Sequence, residues 1–185
     1  MTVSIVLVVR DAADLLLRCL GPLTRVPEEI AFEVVVVDNG STDRTPALLA
    51  GIDGDFHAIR NDVPVPFADA AGQAIARATG DHVVFLREDV VLVDGWLRAL
   101  LDHLDGHARV GAVRPKLVDL DGTVLDETFW GCLAVKRAAY DEVGGFAGSA
   151  EYGVAEKASL LRALRARDWH VAVQPDALAL IVPEA

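Results

Sequence analysis

Residues 32–38 read FEVVVVD, and no other stretch restricts the fold as tightly. A strand with one wet face alternates apolar and polar residues. An unbroken β-branched run has no wet face and is buried on both sides. Such a strand belongs near the middle of a parallel sheet, with helical crossovers covering it. The neighbouring chain carries the matching pieces. VSIVLVV (3–9) is a second buried strand, followed by a helical stretch from Ala12 to Leu20 with Leu15, Leu16, Cys19 and Leu20 on one face. Asn39-Gly40-Ser41-Thr42-Asp43 supplies a turn and a cap for a helix over 44–50. DFHAIRN (55–61) predicts a third strand, 67–79 an alanine-rich helix, HVVFL (82–86) a fourth buried strand, and Asp94 to Leu104 a further helix. This rhythm predicts an α/β fold with a doubly wound parallel sheet.

After residue 109 the pattern changes. VGAVRPKLV, TVLDE and FWGCLAVK read as strands joined by short turns, with Asp121-Gly122 a hairpin turn. Residues 137–143 and 151–167 read as helices, and HVAVQ and ALALIV as two closing strands. No linker or repeat interrupts the chain, so 1–185 is expected to be one domain. LVDLDGTVLD (117–126) has the look of an aspartate-nucleophile phosphatase motif. Asp119 arrives after four strands, however, with no later acidic pair to complete such a site, so the segment reads as a hairpin.

Charge narrows the partners. With 28 acidic and 17 basic residues the net charge is −11, which argues against nucleic-acid backbones and anionic membranes. No apolar run reaches the ~18–20 residues that span a bilayer. VSIVLVV has no basic residue before it and suits a buried strand better than a secretion signal, so the cytoplasm is the expected location. Cys19 and Cys132 have no metal-ligand spacing and read as core residues, and the five histidines suggest no ligand set.

VVVDNGSTD (35–43) puts Asp38 at the carboxyl end of a central strand, where open α/β sheets bind ligands. A strand followed by Asp-Asn-Gly-Ser-Thr-Asp resembles the family-2 glycosyltransferases of the GT-A fold. The resemblance continues through Gly80-Asp81 before VVFL, Asp94-Gly95-Trp96-Leu97, VGAVRPKLVDLDGTV, LAVKRAAYDEVGGF (133–146), and Arg162, Trp169 and Pro175-Asp176-Ala177. It implies a nucleotide-binding half over 1–108 and an acceptor-side half over 109–185. It also implies inverting transfer of a sugar from a nucleoside diphosphate to a hydroxyl on a small molecule or glycan.

On that resemblance Asp38 holds the nucleobase, with Arg10, Arg87 and Glu88 as further nucleotide contacts. Asp89 is the candidate ligand for Mg2+ or Mn2+ on the diphosphate. Glu156 is the candidate base, and Trp130 and Gly131 lie where relatives approach donor sugar and acceptor.

The pattern departs from the family where chemistry is expected. Val8-Val9-Arg10-Asp11 stands in place of Pro-x-Tyr-Asn, and FLRED (85–89) puts Arg87 on the first acid of Asp-x-Asp. Ala155-Glu156 replaces Glu-Asp, and Ile181 stands at the late histidine. Arg87 either turns to solvent and leaves a weakened metal site, or neutralises the diphosphate itself. A catalytically degenerate or repurposed member of the fold is the alternative to an active transferase. The chain ends just past the late strand, where relatives continue, so a homodimer or protein partner is expected to cover the acceptor side.

Overall fold

The computed structural model describes residues 2–125, 131–147 and 154–182, without the side chains of 154–157. The elements are β1 (Thr2–Val9), α1 (Ala13–Leu20), a 3-10 turn at Gly21–Arg25, β2 (Ala31–Asn39), α2 (Thr45–Leu49), β3 (Phe56–Asn61), α3 (Phe67–Arg77) and β4 (His82–Leu86). There follow β5 (Val90–Leu92), α4 (Trp96–Gly106), β6 (Val110–Val118), β7 (Cys132–Lys136), α5 (Arg137–Glu142), α6 (Val154–Ala166) and β8 (His170–Ile181). They form one eight-stranded sheet in the order β3-β2-β1-β4-β7-β6-β8-β5.

The valine run behaves as its sequence demands. Val34 and Val36 pack into the core on one face, with Leu16, Trp96, Leu97, Leu100 and Leu104. Val35 and Val37 pack on the other, with Ala70, Ala71, Ala74, Leu160 and Leu164. Helix α4 reaches the sheet through leucines spaced by three and four residues, each stabilising by ~1.5–3 kcal/mol on burial. Alanines on α3 let that helix sit close to the opposite face.

β3, β2, β1 and β4 run parallel, as the alternating rhythm predicts. From β7 onward the sheet is mixed: β7 is antiparallel to β4 and β6, β8 is parallel to β6, and β5 is antiparallel to β8. Two expectations need correction here. The closing strands are one, since β8 continues through Pro175. The irregularity falls where Pro115 pairs with Gln174 and Lys116 next pairs with Leu178, so Pro175 sits in a bulge that needs no N–H from it. The three-residue β5 is also absent from the sequence reading, being too short to show a period.

TVLDE contributes a single bridge, Val124 to Val118, and its last two residues lie outside those described. Asp119 is a hairpin residue. Its Oδ1 accepts from the N–H groups of Asp121 and Thr123 at 3.0 and 2.8 Å, and Gly122 takes φ +81°. Among the described residues no helix is long and apolar enough to cross a membrane.

Candidate active site

The order β3-β2-β1-β4 reverses direction between β1 and β4, and open α/β sheets bind ligands at the carboxyl ends beside such a reversal. The residues at and just past those strand ends therefore build the site. Register puts Asp38 of β2 beside Val9 of β1 and Arg60 of β3. Arg10 leaves β1, and Arg87, Glu88 and Asp89 leave β4.

Asp38 is only 1% exposed. Its Oδ1 accepts from the Ser41 N–H at 2.9 Å, which fixes the turn after β2. Its Oδ2 makes no hydrogen bond and lies 3.6 Å from Nη1 of Arg60, an exposed side chain. A buried oxygen in that state costs about 1–3 kcal/mol until a donor reaches it.

The loops around Asp38 are tied together. Asp11 adopts φ +50° and its Oδ1 accepts from Thr42 N, Thr42 Oγ1 and Asp43 N, at 2.6, 3.2 and 3.1 Å. The Thr42 N–H, above all, holds the Asp11 carboxyl below its ordinary range. Asp11 N donates to Ser41 Oγ, Ala12 N to Thr45 Oγ1 and Ala13 N to Asp43 Oδ2. On the other side Asn39 Oδ1 accepts from Asn61 Nδ2 and Val65 N, and Gln73 donates to Asn61. Gly40 turns the chain here at φ +82°, with Pro64 so near that a Cβ would meet it at 2.9 Å.

A cavity of about 250 Å³ opens beside the β1–α1 loop, lined by Asp11, Asp14, Asp43 and Arg18 among others. Three carboxylates against one guanidinium make it a poor cradle for a diphosphate. Arg10, expected at the nucleotide, is exposed and lies 3.8 Å from Asp11 Oδ2.

At the end of β4, Arg87 folds back onto its own turn. Its Nη2 donates to Asp89 Oδ2, pairing the guanidinium with the acid expected to hold metal. The turn is anchored through its backbone: Arg87 N donates to Gly131 O, Cys19 Sγ and Val90 N donate to Arg87 O, and Val182 N donates to Asp89 O. Gly131 has a packing reason to be glycine, since a Cβ would lie 2.2 Å from Val90 Cγ2 and 3.1 Å from Ile181 Cδ1. Cys19 and Cys132 are buried free thiols, pushed up by desolvation. Trp130 lies outside the described residues; Glu156 lies on α6, its side chain undescribed.

Sequence reasoning missed Arg60 and the Asn39–Asn61–Gln73 ladder. Both become visible only when β2 and β3 are aligned residue by residue.

Asp38, buried at the carboxyl end of β2, and Asp89, just past the end of β4, thus lie on the edge where an α/β sheet of this strand order binds ligands. The model of glycosyl transferase family 2 matches residues 4–142, and the chain belongs to that family. It is 39% identical over 103 residues to a TPR repeat-containing protein of Synechococcus elongatus, covering 54% of this chain and 24% of that protein. It is 35% identical over 128 residues to the O-antigen biosynthesis protein RfbC of Myxococcus xanthus, covering 66% and 10%.

Among solved structures, the mannosyltransferase PcManGT of Pyrobaculum calidifontis, in complex with GDP-Man and Mn2+, superposes with a TM-score of 0.81 at 21% identity, over 98% of this chain and 57% of that one. S. aureus TarS 1–349 with UDP-GlcNAc gives 0.81 at 17%, over 100% and 59%. The fold is GT-A. This chain spans a quarter or less of these two curated relatives and under two thirds of these solved chains.

Proposed function

We propose that this chain binds a nucleoside-diphosphate sugar and transfers the sugar, with inversion, to a hydroxyl acceptor without a cation at Asp89. The observation that carries the reading is Asp38: a carboxylate at the end of a central parallel strand, one oxygen fixed by Ser41 and the other lacking a hydrogen bond. The ring N–H of uracil, thymine or guanine is a donor of the kind that oxygen lacks, and Arg60 swings aside to admit it.

A divalent cation does not fit the position that family resemblance gives it, because Arg87 already occupies Asp89. Asp89 instead positions the guanidinium. Arg87 keeps about a third of its side chain exposed, and its positive charge offsets the negative charge of the leaving diphosphate. The acceptor oxygen attacks the anomeric carbon, its proton passes to the Glu156 carboxylate, and the bond to the diphosphate breaks with its electron pair on the departing oxygen.

Thermal unfolding with uridine, guanosine, thymidine and adenosine diphosphates, with and without Mn2+, tests the reading. One nucleotide raises the melting temperature without metal, and Asp38→Ala removes the rise. No response to any nucleotide refutes it. The Arg87–Asp89 pair also favours a second reading, a degenerate member that binds the nucleotide but transfers nothing. Binding without turnover of any donor sugar, in the presence of candidate acceptors, selects that one.

A further inference from the structure

The opposite end of the same strands holds a group of side chains that the nucleotide cleft does not use. Glu33, at the start of β2, is 7% exposed. Its Oε1 accepts three hydrogen bonds, from Ser4 Oγ at 2.7 Å, Thr79 N at 2.6 Å and Thr79 Oγ1 at 2.8 Å. Burial alone would raise this carboxyl, but those donors and the His57 ring together hold it below its ordinary value.

Oε2 is turned the other way. It lies 3.6 Å from His57 Nε2, which lies 3.7 Å from Asp55 Oδ1. Glu33, Asp55 and His57 each offer a ligand atom within 4.8 Å of the others. These separations are too long for hydrogen bonds. The two to His57 are close to the ~3.4 Å between neighbouring ligands of a tetrahedral zinc with bonds of ~2.0–2.1 Å. The buried carboxylate is thus anchored by one oxygen, with the other presented beside an imidazole and a second carboxylate.

We propose that Glu33, Asp55 and His57 form a divalent-cation site of the zinc type at the amino-terminal edge of the sheet, with water completing the coordination. One imidazole nitrogen and two carboxylates suit Zn2+ or Co2+ better than Mg2+. Five residues of strand separate Glu33 from Asp38, about 17 Å, so this cation does not reach the diphosphate. It ties β2 to β3 directly, and through the Glu33 bonds to Ser4 and Thr79 it reaches β1 and the approach to β4.

Arg77 sets the terms of binding. Its Nη2 lies 3.2 Å from His57 Nδ1. A guanidinium only donates, so Nδ1 accepts and the ring proton sits on Nε2. Coordination through Nε2 moves that proton to Nδ1 and expels the exposed Arg77 side chain.

The test is calorimetric titration of the metal-stripped full chain with Zn2+, with Co2+ absorption as a second readout. Wild type should bind one equivalent at this site and rise in melting temperature. His57→Ala and Asp55→Ala should weaken binding at least tenfold, Asp89→Asn should leave it unchanged, and Arg77→Gln should tighten it. Asp55 and His57 lie at the sheet edge, so those variants stay informative where Glu33→Gln fails to fold. Absence of saturable binding, binding indifferent to both edge variants, binding lost in Asp89→Asn, or thiolate charge-transfer bands from the cysteines would each overturn the proposal. No nucleotide is needed, so the outcome is independent of the transferase reading.

Discussion

In Arg87→Ala the guanidinium that pairs with Asp89 is gone, and the acid becomes available to a cation. A divalent ion ~5 Å from a guanidinium at an effective dielectric of ~20 is repelled by roughly 6–7 kcal/mol. Arg87 is 34% exposed and Asp89 15%, so solvent screening reduces that figure. A quarter of it, about 1.7 kcal/mol, still exceeds a tenfold change in affinity. Mn2+ should therefore bind Arg87→Ala at least ~10 times more tightly than wild type, while Arg87→Lys, which keeps the charge, should resemble wild type. The assay is Mn2+ titration followed by the electron paramagnetic resonance of the free aquo ion, in a His57→Ala background that silences the distal site. Equal affinity with and without Arg87 would refute the claim that the guanidinium holds the cation off.

Asp38→Asn should fold and lose the nucleotide-induced stabilisation, which for wild type at 100 times the dissociation constant is ~2.7 kcal/mol by thermal unfolding. Gly40→Ala places a Cβ 2.9 Å from Pro64 at φ +82°, and urea unfolding should show a loss of ~2 kcal/mol or more. Gly131→Ala should cost ~1–3 kcal/mol through the Val90 contact, read from the same curves. His82 supplies a pH dependence. Burial pushes it below the usual 6.5 against the opposing pull of Asp105, so the unfolded chain takes up this proton first. Stability present above about pH 6.5 is lost as pH falls below it, and His82→Gln should flatten the change in urea midpoint between about pH 7.5 and 5.5.

The parallel half of the sheet is legible in the sequence because FEVVVVD and HVVFL permit no other arrangement, and Asp38 stands out by its place at a strand end. Pro175 misled for a physical reason: a proline breaks a ladder, but a bulge absorbs the break and the strand resumes at Leu178. FLRED shows the arginine, the acids and their order. It cannot show that Arg87 folds back onto Asp89, since that depends on how Gly131, Cys19 and Val182 clamp the turn. Glu33, Asp55 and His57 are further out of reach. Asp55, just before β3, and His57, within it, are two residues apart, but Glu33 joins them only through the pairing of β2 with β3, and Ser4 and Thr79 hold its other oxygen from two other segments.

The cage around Asp11 bears on kinetics. Backbone N–H groups and hydroxyls of Thr42, Asp43, Ser41 and Thr45 leave the β1–α1 and β2–α2 loops little freedom to rearrange as a base arrives. The charged group beside Asp38 Oδ2 is Arg60, a surface side chain of the kind that changes rotamer in picoseconds to nanoseconds. Nucleotide capture should accordingly be a single bimolecular event, its observed rate climbing in a straight line with ligand concentration and never levelling off at a slow isomerisation.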